Sequence, residues 1–97
     1  MRRAEAIKIL REHEGELRAS GVDGLFLFGS TARDEATRDS DIDLFFDHDE
    51  GSLSLFKMMD LQNRAAEILG ARTEMVSRRS LHPMLKEGIE RSAIQVF

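Results

Sequence analysis

The sequence contains no cysteine, tryptophan or tyrosine, and Pro83 is the one proline among its 97 residues. Without cysteine, the chain has no disulfide framework, no thiolate zinc site and no cysteine nucleophile. Its apolar runs are only a few residues long, whereas a membrane helix needs about 20 residues. The first residues also lack the apolar stretch of a signal peptide. We therefore expect a cytoplasmic protein that does not enter a membrane.

Positive charge is also scarce, because 14 Lys and Arg stand against 18 Asp and Glu, a net charge of −4. An acidic chain cannot grip nucleic acid by charge alone, so we expect no direct nucleic-acid binding. An anionic substrate would need local positive charge or a metal ion. The length fits one domain over residues 1–97, with a thin core that a partner would help to stabilise.

Hydrophobic patterning divides the chain into alternating elements. The pattern predicts helices over residues 2–19 and 53–69 and from Ser80 onward, and strands at 24–29, 41–47, 71–77 and 93–97, with a loop or short helix at 30–40. The order helix, strand, strand, helix, strand, helix, strand predicts an α/β fold with a small mixed sheet and helices packed mainly on one face.

Each predicted helix has apolar residues at helical spacing, which we expect to face the core. In chain order these are Ile7, Leu10 and Leu17; Leu55, Phe56, Met59, Ala66 and Leu69; and Leu81, Leu85 and Ile89. Methionines fill irregular gaps in cores. We therefore also expect core positions for Met58, Met59, Met75 and Met84.

Carboxylates alternate with apolar residues in the strand at 41–47. Successive side chains of a strand point to opposite faces, so Asp41 and Asp43 share one face, about 6.5 Å apart at the backbone. Two adjacent carboxylates repel each other. Their oxygens can converge on hard cations, which relieve that repulsion. Two Mg²⁺ ions about 4 Å apart are a standard device for in-line attack on phosphorus.

Gly29 and Ser30 directly follow the apolar strand at 24–29. A glycine at a strand end lets the backbone approach a ligand closely. If Thr31 onward is helical, the N–H groups near Ser30 form an anion site to which the Ser30 hydroxyl adds a donor. A lone Gly-Ser is most often a turn and a lone Asp-x-Asp a solvated strand edge, but the two together are a much stronger signal.

A calcium loop is a competing interpretation of the acidic residues. An EF-hand pattern matches at positions 1, 3, 5, 9 and 12, which are Asp39, Asp41, Asp43, Asp47 and Glu50. The sharp turn at position 6 needs glycine, but Leu44 stands there. The sequence also predicts strand and loop where the leading helix should be. We therefore favour the Mg²⁺ interpretation over a calcium loop.

Two segments together resemble the signature of the DNA polymerase β-type nucleotidyltransferase superfamily: Leu27-Phe28-Gly29-Ser30-Thr31-Ala32-Arg33 and Ser40-Asp41-Ile42-Asp43-Leu44. More narrowly, the chain resembles the minimal nucleotidyltransferases, MNT, that are paired with HEPN toxins. The resemblance extends from about residue 21 to the end. It implies a mixed sheet and the transfer of a nucleoside monophosphate from a nucleoside triphosphate to a hydroxyl, with release of pyrophosphate.

The resemblance also assigns roles to particular residues. Gly29 and Ser30 would hold the triphosphate, and Asp41 and Asp43 would ligate two Mg²⁺ ions. The family's third carboxylate comes from the next core strand, where Glu74 stands in place of the usual Asp. Glu74 would complete one metal site and help to deprotonate the acceptor hydroxyl.

Two charged residues near this signature, Arg33 and Glu74, have two interpretations each. Arg33 is a bidentate phosphate donor or a solvated loop charge. Glu74 is a metal ligand or the strand-edge partner of Arg72. Asp34 stands where relatives often carry Gly, and there it would add negative charge near the phosphates.

The chain has no room for a separate acceptor domain, so we expect another macromolecule to present the acceptor. The resemblance points to a HEPN ribonuclease toxin that receives AMP from ATP on a hydroxyl side chain, with tyrosine preferred, so that this protein is the antitoxin. A second hypothesis is an antitoxin that neutralises its partner by binding, without catalysis. A third is a nucleotidyltransferase of small antibiotic-like alcohols.

Overall fold

One mixed sheet organises the computed structural model, which describes residues 1–51 and 53–97. Its strands are β1 (Gly24–Phe28), β2 (Ile42–Asp47), β3 (Thr73–Ser77) and β4 (Ile94–Gln95). The helices are α1 (Arg3–Glu12), α2 (Glu14–Ala19), α3 (Gly29–Ala32), α4 (Leu55–Leu69) and α5 (Pro83–Ser92). No helix within the described ranges is long and apolar enough to cross a membrane.

The strand order is β3-β2-β1-β4. β1 runs antiparallel to both β2 and β4, whereas β2 and β3 are parallel. Parallel neighbours need a crossover connection, and α4 supplies it between β2 and β3. The predicted α/β fold with a mixed sheet is confirmed.

The two faces of the sheet differ in character, as the alternation in β2 predicts. Ile42, Leu44 and Phe46 are buried in the main core, where they meet apolar side chains of α1, α2 and α4. Phe45 is on the opposite face, where its ring stacks on Phe26 with centroids 4.8 Å apart. Helices therefore cover mainly the face that carries Leu44.

Arg78 directly follows β3 and covers the aromatic rings on the sheet face that carries Phe45. Its guanidinium lies 4.7 Å from the ring centroid of Phe26 and 5.1 Å from that of Phe45. It donates to both oxygens of Asp47, at 2.7 and 3.1 Å, and to Glu90 of α5 at 2.6 Å. One side chain thus links β2, β3 and α5 through charge-assisted hydrogen bonds and aromatic contacts.

The single helix predicted over residues 2–19 is wrong, because His13 divides it into α1 and α2. The His13 N–H bonds to the carbonyl of Leu10, three residues back, at 3.1 Å. The carbonyl of Ile9, four residues back, instead contacts Nδ1 of the His13 ring at 2.9 Å. A side chain that occupies the carbonyl of the preceding turn interrupts the helical hydrogen-bond series.

The apolar stripe predicted for α4 is only partly correct. The residues that α4 buries are Leu61, Ala65 and Leu69, while Leu55, Phe56 and Met59 are exposed. Met84 and Leu85 of α5 are exposed as well. The prediction of core positions is therefore wrong for these five exposed residues, whereas Met75 is buried and Met58 is partly buried against the core.

The last helix begins later than predicted. Arg78–Ser80 forms a 3₁₀ turn, and α5 starts at Pro83. Proline suits the first position of a helix, because the N–H group that it lacks would have no partner within the helix. The cap is His82 rather than Ser80, because Nδ1 of His82 accepts the N–H of Met84 at 3.2 Å. Leu81 remains buried, as predicted.

We predict that Leu44→Ala lowers the free energy of unfolding by about 2–5 kcal/mol, because it leaves a cavity at the centre of the core. Leu44 is fully buried in β2. Urea unfolding followed by circular dichroism measures the effect. The matched control is Met84→Ala, whose side chain is exposed, and it should change stability by less than about 0.5 kcal/mol. Equal losses in both variants would contradict this placement of the core.

Candidate active site

The end of β1 lies against the start of β2, and this contact forms the centre of the candidate site. Phe28 pairs with Asp43 in the antiparallel register. The next residue, Gly29, has φ +74°, and a β-carbon there would overlap Oδ2 of Asp43 and lie 3.2 Å from its Cγ. Glycine is therefore required by both backbone conformation and space.

Ser30 lies in the four-residue helix α3, which begins at Gly29. The Arg33 N–H makes a helical hydrogen bond to the carbonyl of Gly29 at 3.2 Å, and the Glu35 N–H bonds to the carbonyl of Ser30, five residues back, at 2.8 Å, where the helix ends. The chain thus turns helical immediately after β1, as the phosphate-cradle hypothesis requires. The Thr31 hydroxyl is buried in this turn and has no hydrogen-bond partner among the described residues.

Asp43 faces Glu74 directly, because the parallel register pairs these two residues across β2 and β3. Burial raises the pKa of the Asp43 carboxyl, and the negative charges of Glu74 and then Asp41 raise it further, while Arg33 lowers it. The negative charges of Glu74 and Asp41 therefore act on Asp43, so the three carboxylates predicted from the sequence lie in one place. Such mutual repulsion is what a bound cation relieves.

Asp41 lies just before β2 and forms an ion pair with Arg72, with 3.1 Å between Oδ1 and Nε. Arg72 also donates to the carbonyl of Asp39 at 3.2 Å. The alternative interpretation of Glu74 made it the partner of Arg72, but the ion pair that the structure gives Arg72 is with Asp41. Both side chains are largely exposed, so the pair contributes little to stability.

Arg33 ends α3 and pairs with Glu35, with 3.1 Å between Nε and Oε2. Both side chains are more than half exposed. Arg33 still lies close enough to Asp43 to lower the pKa of that carboxyl. Its predicted contact with a phosphate stays a prediction.

Asp34 has a different role from the one its charge suggested. Its φ of +59° lies in the left-handed region, which glycine adopts most readily. Its Oδ1 accepts the N–H of Arg3, the first residue of α1, at 3.0 Å. A carboxylate at a helix N-terminus caps an unpaired donor and complements the helix dipole. The carboxylate of Asp34 thus interacts with the N-terminus of α1.

A groove at the edge of β3 includes two of the three predicted carboxylates, Asp41 and Glu74. It is lined by Asp41, Gln62, Asn63, Ala66, Arg72, Thr73 and Glu74. Gln62 also accepts the N–H of Met75 through Oε1 at 3.0 Å. Sequence reasoning missed Gln62 and Asn63, although two adjacent amides in an otherwise apolar and charged helix were a usable signal.

The donor set suits Mg²⁺. Within residues 1–51 and 53–97, no three His, Asp or Glu side chains enclose a metal ion by themselves. Mg²⁺ does not need such a cage, since it keeps several waters and binds one or two carboxylates together with substrate phosphates. The carboxylates of Asp43 and Glu74 fit that pattern, because they repel each other and because Gly29 leaves space beside Asp43. A calcium loop does not fit, because residues 42–47 are strand.

We predict that Gly29→Ala weakens divalent-cation binding and costs more stability than Gly51→Ala. Both glycines have nearly the same φ, +74° and +73°, but a β-carbon at Gly51 meets nothing within 4 Å. The control therefore carries only the conformational penalty of about 1–2 kcal/mol, while Gly29→Ala must also move Asp43. Urea unfolding and Mn²⁺ binding followed by electron paramagnetic resonance measure both effects. Identical behaviour of the two variants would contradict the close approach.

We predict that Asp43→Asn stabilises the fold at pH 7 and not at low pH. Because the pKa of Asp43 is raised on folding, the folded state holds the proton longer, and wild-type stability falls as pH rises from about 3.9 through the raised value. The Asp43→Asn variant has no carboxyl to titrate, so it does not lose stability in this way as the pH rises. Urea unfolding midpoints measured between pH 3 and 7 test this, with the exposed Asp23→Asn as control. A gain that persists at low pH would contradict the electrostatic cause.

Comparisons with known proteins agree with the fold. Residues 4–96 match the family model described as "Nucleotidyltransferase domain". The chain is 36% identical over 95 residues to "Putative protein adenylyltransferase MJ0126" of Methanocaldococcus jannaschii, covering 96% of each chain. It is also 36% identical over 93 residues to "Protein adenylyltransferase MntA" of Thermococcus cleftensis, covering 95% of this chain and 93% of the relative.

Solved structures show the same fold. The one described as "Structure of putative minimal nucleotidyltransferase" has a TM-score of 0.73 at 35% identity and covers 91% of this chain and 93% of its own. A toxin-antitoxin crystal structure with AMP-PNP has a TM-score of 0.72 at 23% identity, covering 100% of this chain and 73% of its own.

The third structure is that of a tri-AMPylated Shewanella oneidensis HEPN toxin in complex with an MNT antitoxin. It has a TM-score of 0.69 at 19% identity, covering 94% of this chain and 71% of its own. The family match spans nearly the whole described chain, and the relatives align over nearly their whole length. The chain therefore belongs to the nucleotidyltransferase domain family, as an enzyme of its minimal type.

Proposed function

We propose that this protein is an Mg²⁺-dependent protein adenylyltransferase that moves AMP from ATP to a hydroxyl of a HEPN toxin in the cytoplasm, and thereby acts as its antitoxin. The observation that carries the proposal is the meeting of Gly29, Asp43 and Glu74 at one end of the sheet. The relatives named as protein adenylyltransferases and the fold shared with an MNT antitoxin support the acceptor class.

Gly29 and Ser30 have the role of holding the triphosphate. The turn into α3 directs backbone toward the site, and glycine leaves room for a phosphate beside Asp43. Arg33 lies within electrostatic reach of the same carboxylate. A guanidinium there would offset phosphate charge that the acidic chain otherwise repels.

Asp41, Asp43 and Glu74 have the role of holding the cations. Bound Mg²⁺ would supply Lewis-acid stabilisation of the charge that develops on the phosphate oxygens. Asp41 must exchange its ion pair with Arg72 for a cation. Glu74, exposed at the edge strand, is the carboxylate next to the groove through which an acceptor hydroxyl enters, and it helps to remove the proton of that hydroxyl.

In the proposed reaction, the acceptor oxygen attacks the α-phosphorus of ATP. The bond from the α-phosphorus to the oxygen that bridges to the β-phosphate breaks, and pyrophosphate leaves. The acceptor therefore gains AMP, and only a label in the α-phosphate is transferred. Nothing in the described site reads the base, so ATP is proposed on the support of the AMP-PNP and AMPylated neighbours.

The competing function is an antitoxin that neutralises its partner by binding alone. Two observations favour it: Glu74 replaces the usual Asp, and Arg72 engages Asp41. Under this hypothesis, Asp41→Ala/Asp43→Ala would still protect cells from the toxin. Transfer to a small alcohol is less favoured, because the relatives are named as protein adenylyltransferases.

We predict that α-labelled ATP with Mg²⁺ labels a purified HEPN-domain protein from the same source, and that γ-labelled ATP does not. Asp43→Asn should lower the initial rate at least about 100-fold, because a cation ligand is lost. The matched control Asp23→Asn makes the same charge change at an exposed position and should leave the rate within about twofold.

Two outcomes would contradict the proposal. Label from the γ position would indicate phosphoryl rather than nucleotidyl transfer. No label from either position, together with a stable complex and protection by Asp41→Ala/Asp43→Ala, would establish the binding-only antitoxin.

A further inference from the structure

The first two turns of α4 present exposed apolar side chains. Leu55 is 71% exposed, Phe56 78% and Met59 54%. Single exposed apolar residues are ordinary on protein surfaces, but clusters of large ones mark interaction sites. These three fall within five consecutive residues of one helix, which we call the α4 patch.

Leu55 and Met59 of the α4 patch lie on the side of α4 that continues into the groove at the candidate site, and Phe56 lies about 60° beyond Met59. At 100° per residue, Leu55, Met59, Gln62 and Ala66 lie within about 60° of one another on the helix surface. Gln62 and Ala66 line the groove together with Asp41 and Glu74. This side of α4 extends about 16 Å from Leu55 to Ala66. It is apolar at its Leu55 end, and its other end lies beside Asp41 and Glu74.

We propose that the α4 patch is the docking surface for the protein acceptor, which binds along α4 and presents its hydroxyl to the groove. This inference rests on the proposed function. An acceptor must approach Glu74, and the groove beside it is walled by α4. A protein that follows this helix meets Leu55, Phe56 and Met59 before it reaches the carboxylates.

Other occupants fit less well. A small alcohol in the groove would gain nothing from Leu55 and Phe56, which lie about 9–11 Å along the helix from Gln62. A second copy of this chain on the same side of α4 would cover the groove and exclude the acceptor. The occupant is therefore a protein with an apolar anchor one to two helical turns from its acceptor hydroxyl.

A second exposed apolar pair provides the matched control. Met84 and Leu85 of α5 are 87% and 60% exposed. The groove with Asp41 and Glu74 is not lined by any described residue of α5. Replacing either pair by serine removes similar apolar area from a solvated surface, so neither change should unfold the protein.

The experiment compares Phe56→Ser/Met59→Ser with Met84→Ser/Leu85→Ser. Isothermal titration calorimetry measures the Kd for a purified HEPN-domain protein from the same source, and α-label transfer measures KM and kcat. For the α4 pair we expect Kd and KM to rise at least about tenfold, as for loss of an interface anchor, with kcat within about twofold. The α5 pair should change each value by less than about twofold.

The outcomes separate this inference from the proposed function. Transfer by wild type with unchanged KM and Kd in the α4 pair would overturn the docking surface and leave the function standing. Binding without transfer, weakened by the α4 pair alone, would overturn the function and support the docking surface. A wild-type dimer that the α4 pair dissociates in sedimentation experiments would assign the patch to a second copy and overturn the inference.

Discussion

The structure depends on the double pairing of β2, antiparallel to β1 and parallel to β3. The antiparallel side brings Gly29 against Asp43. The parallel side sets Asp43 opposite Glu74. A shift of one residue in either register would turn Asp43 toward the core and Leu44 toward the site. Burial of Leu44 therefore fixes the position of the carboxylates, and the same packing serves both fold and chemistry.

The site is held together at some cost in stability. Carboxylates placed side by side, one of them partly buried, disfavour the folded state when all are charged. The opposing contributions come from elsewhere in the sheet. Arg78 binds Asp47 and Glu90 at the other end of β2 and packs on the rings of Phe26 and Phe45. Attraction at one end of the strand thus offsets repulsion at the other.

Strands and the signature could be predicted because their information is local. Alternation within residues 41–47 identifies both faces of β2, and the resemblance to the nucleotidyltransferase signature points to Glu74 on the next strand. The division at His13 and the capping role of Asp34 could not be predicted in this way. Asp34 acts on Arg3, 31 residues away, and its partner is known only once the chain has folded. Helical spacing also could not decide which side of α4 is buried, because apolar residues occur on both sides of that helix.

The hydrogen bond from Met75 to Gln62 limits how the sheet can associate. β3 is an edge strand, and edge strands with free N–H groups pair readily with strands of other chains. Gln62 occupies the N–H of Met75 on the outer side of β3, opposite to the side that pairs with β2. The sheet therefore resists growth by strand addition at this edge, which protects a small protein with a short sheet from aggregation.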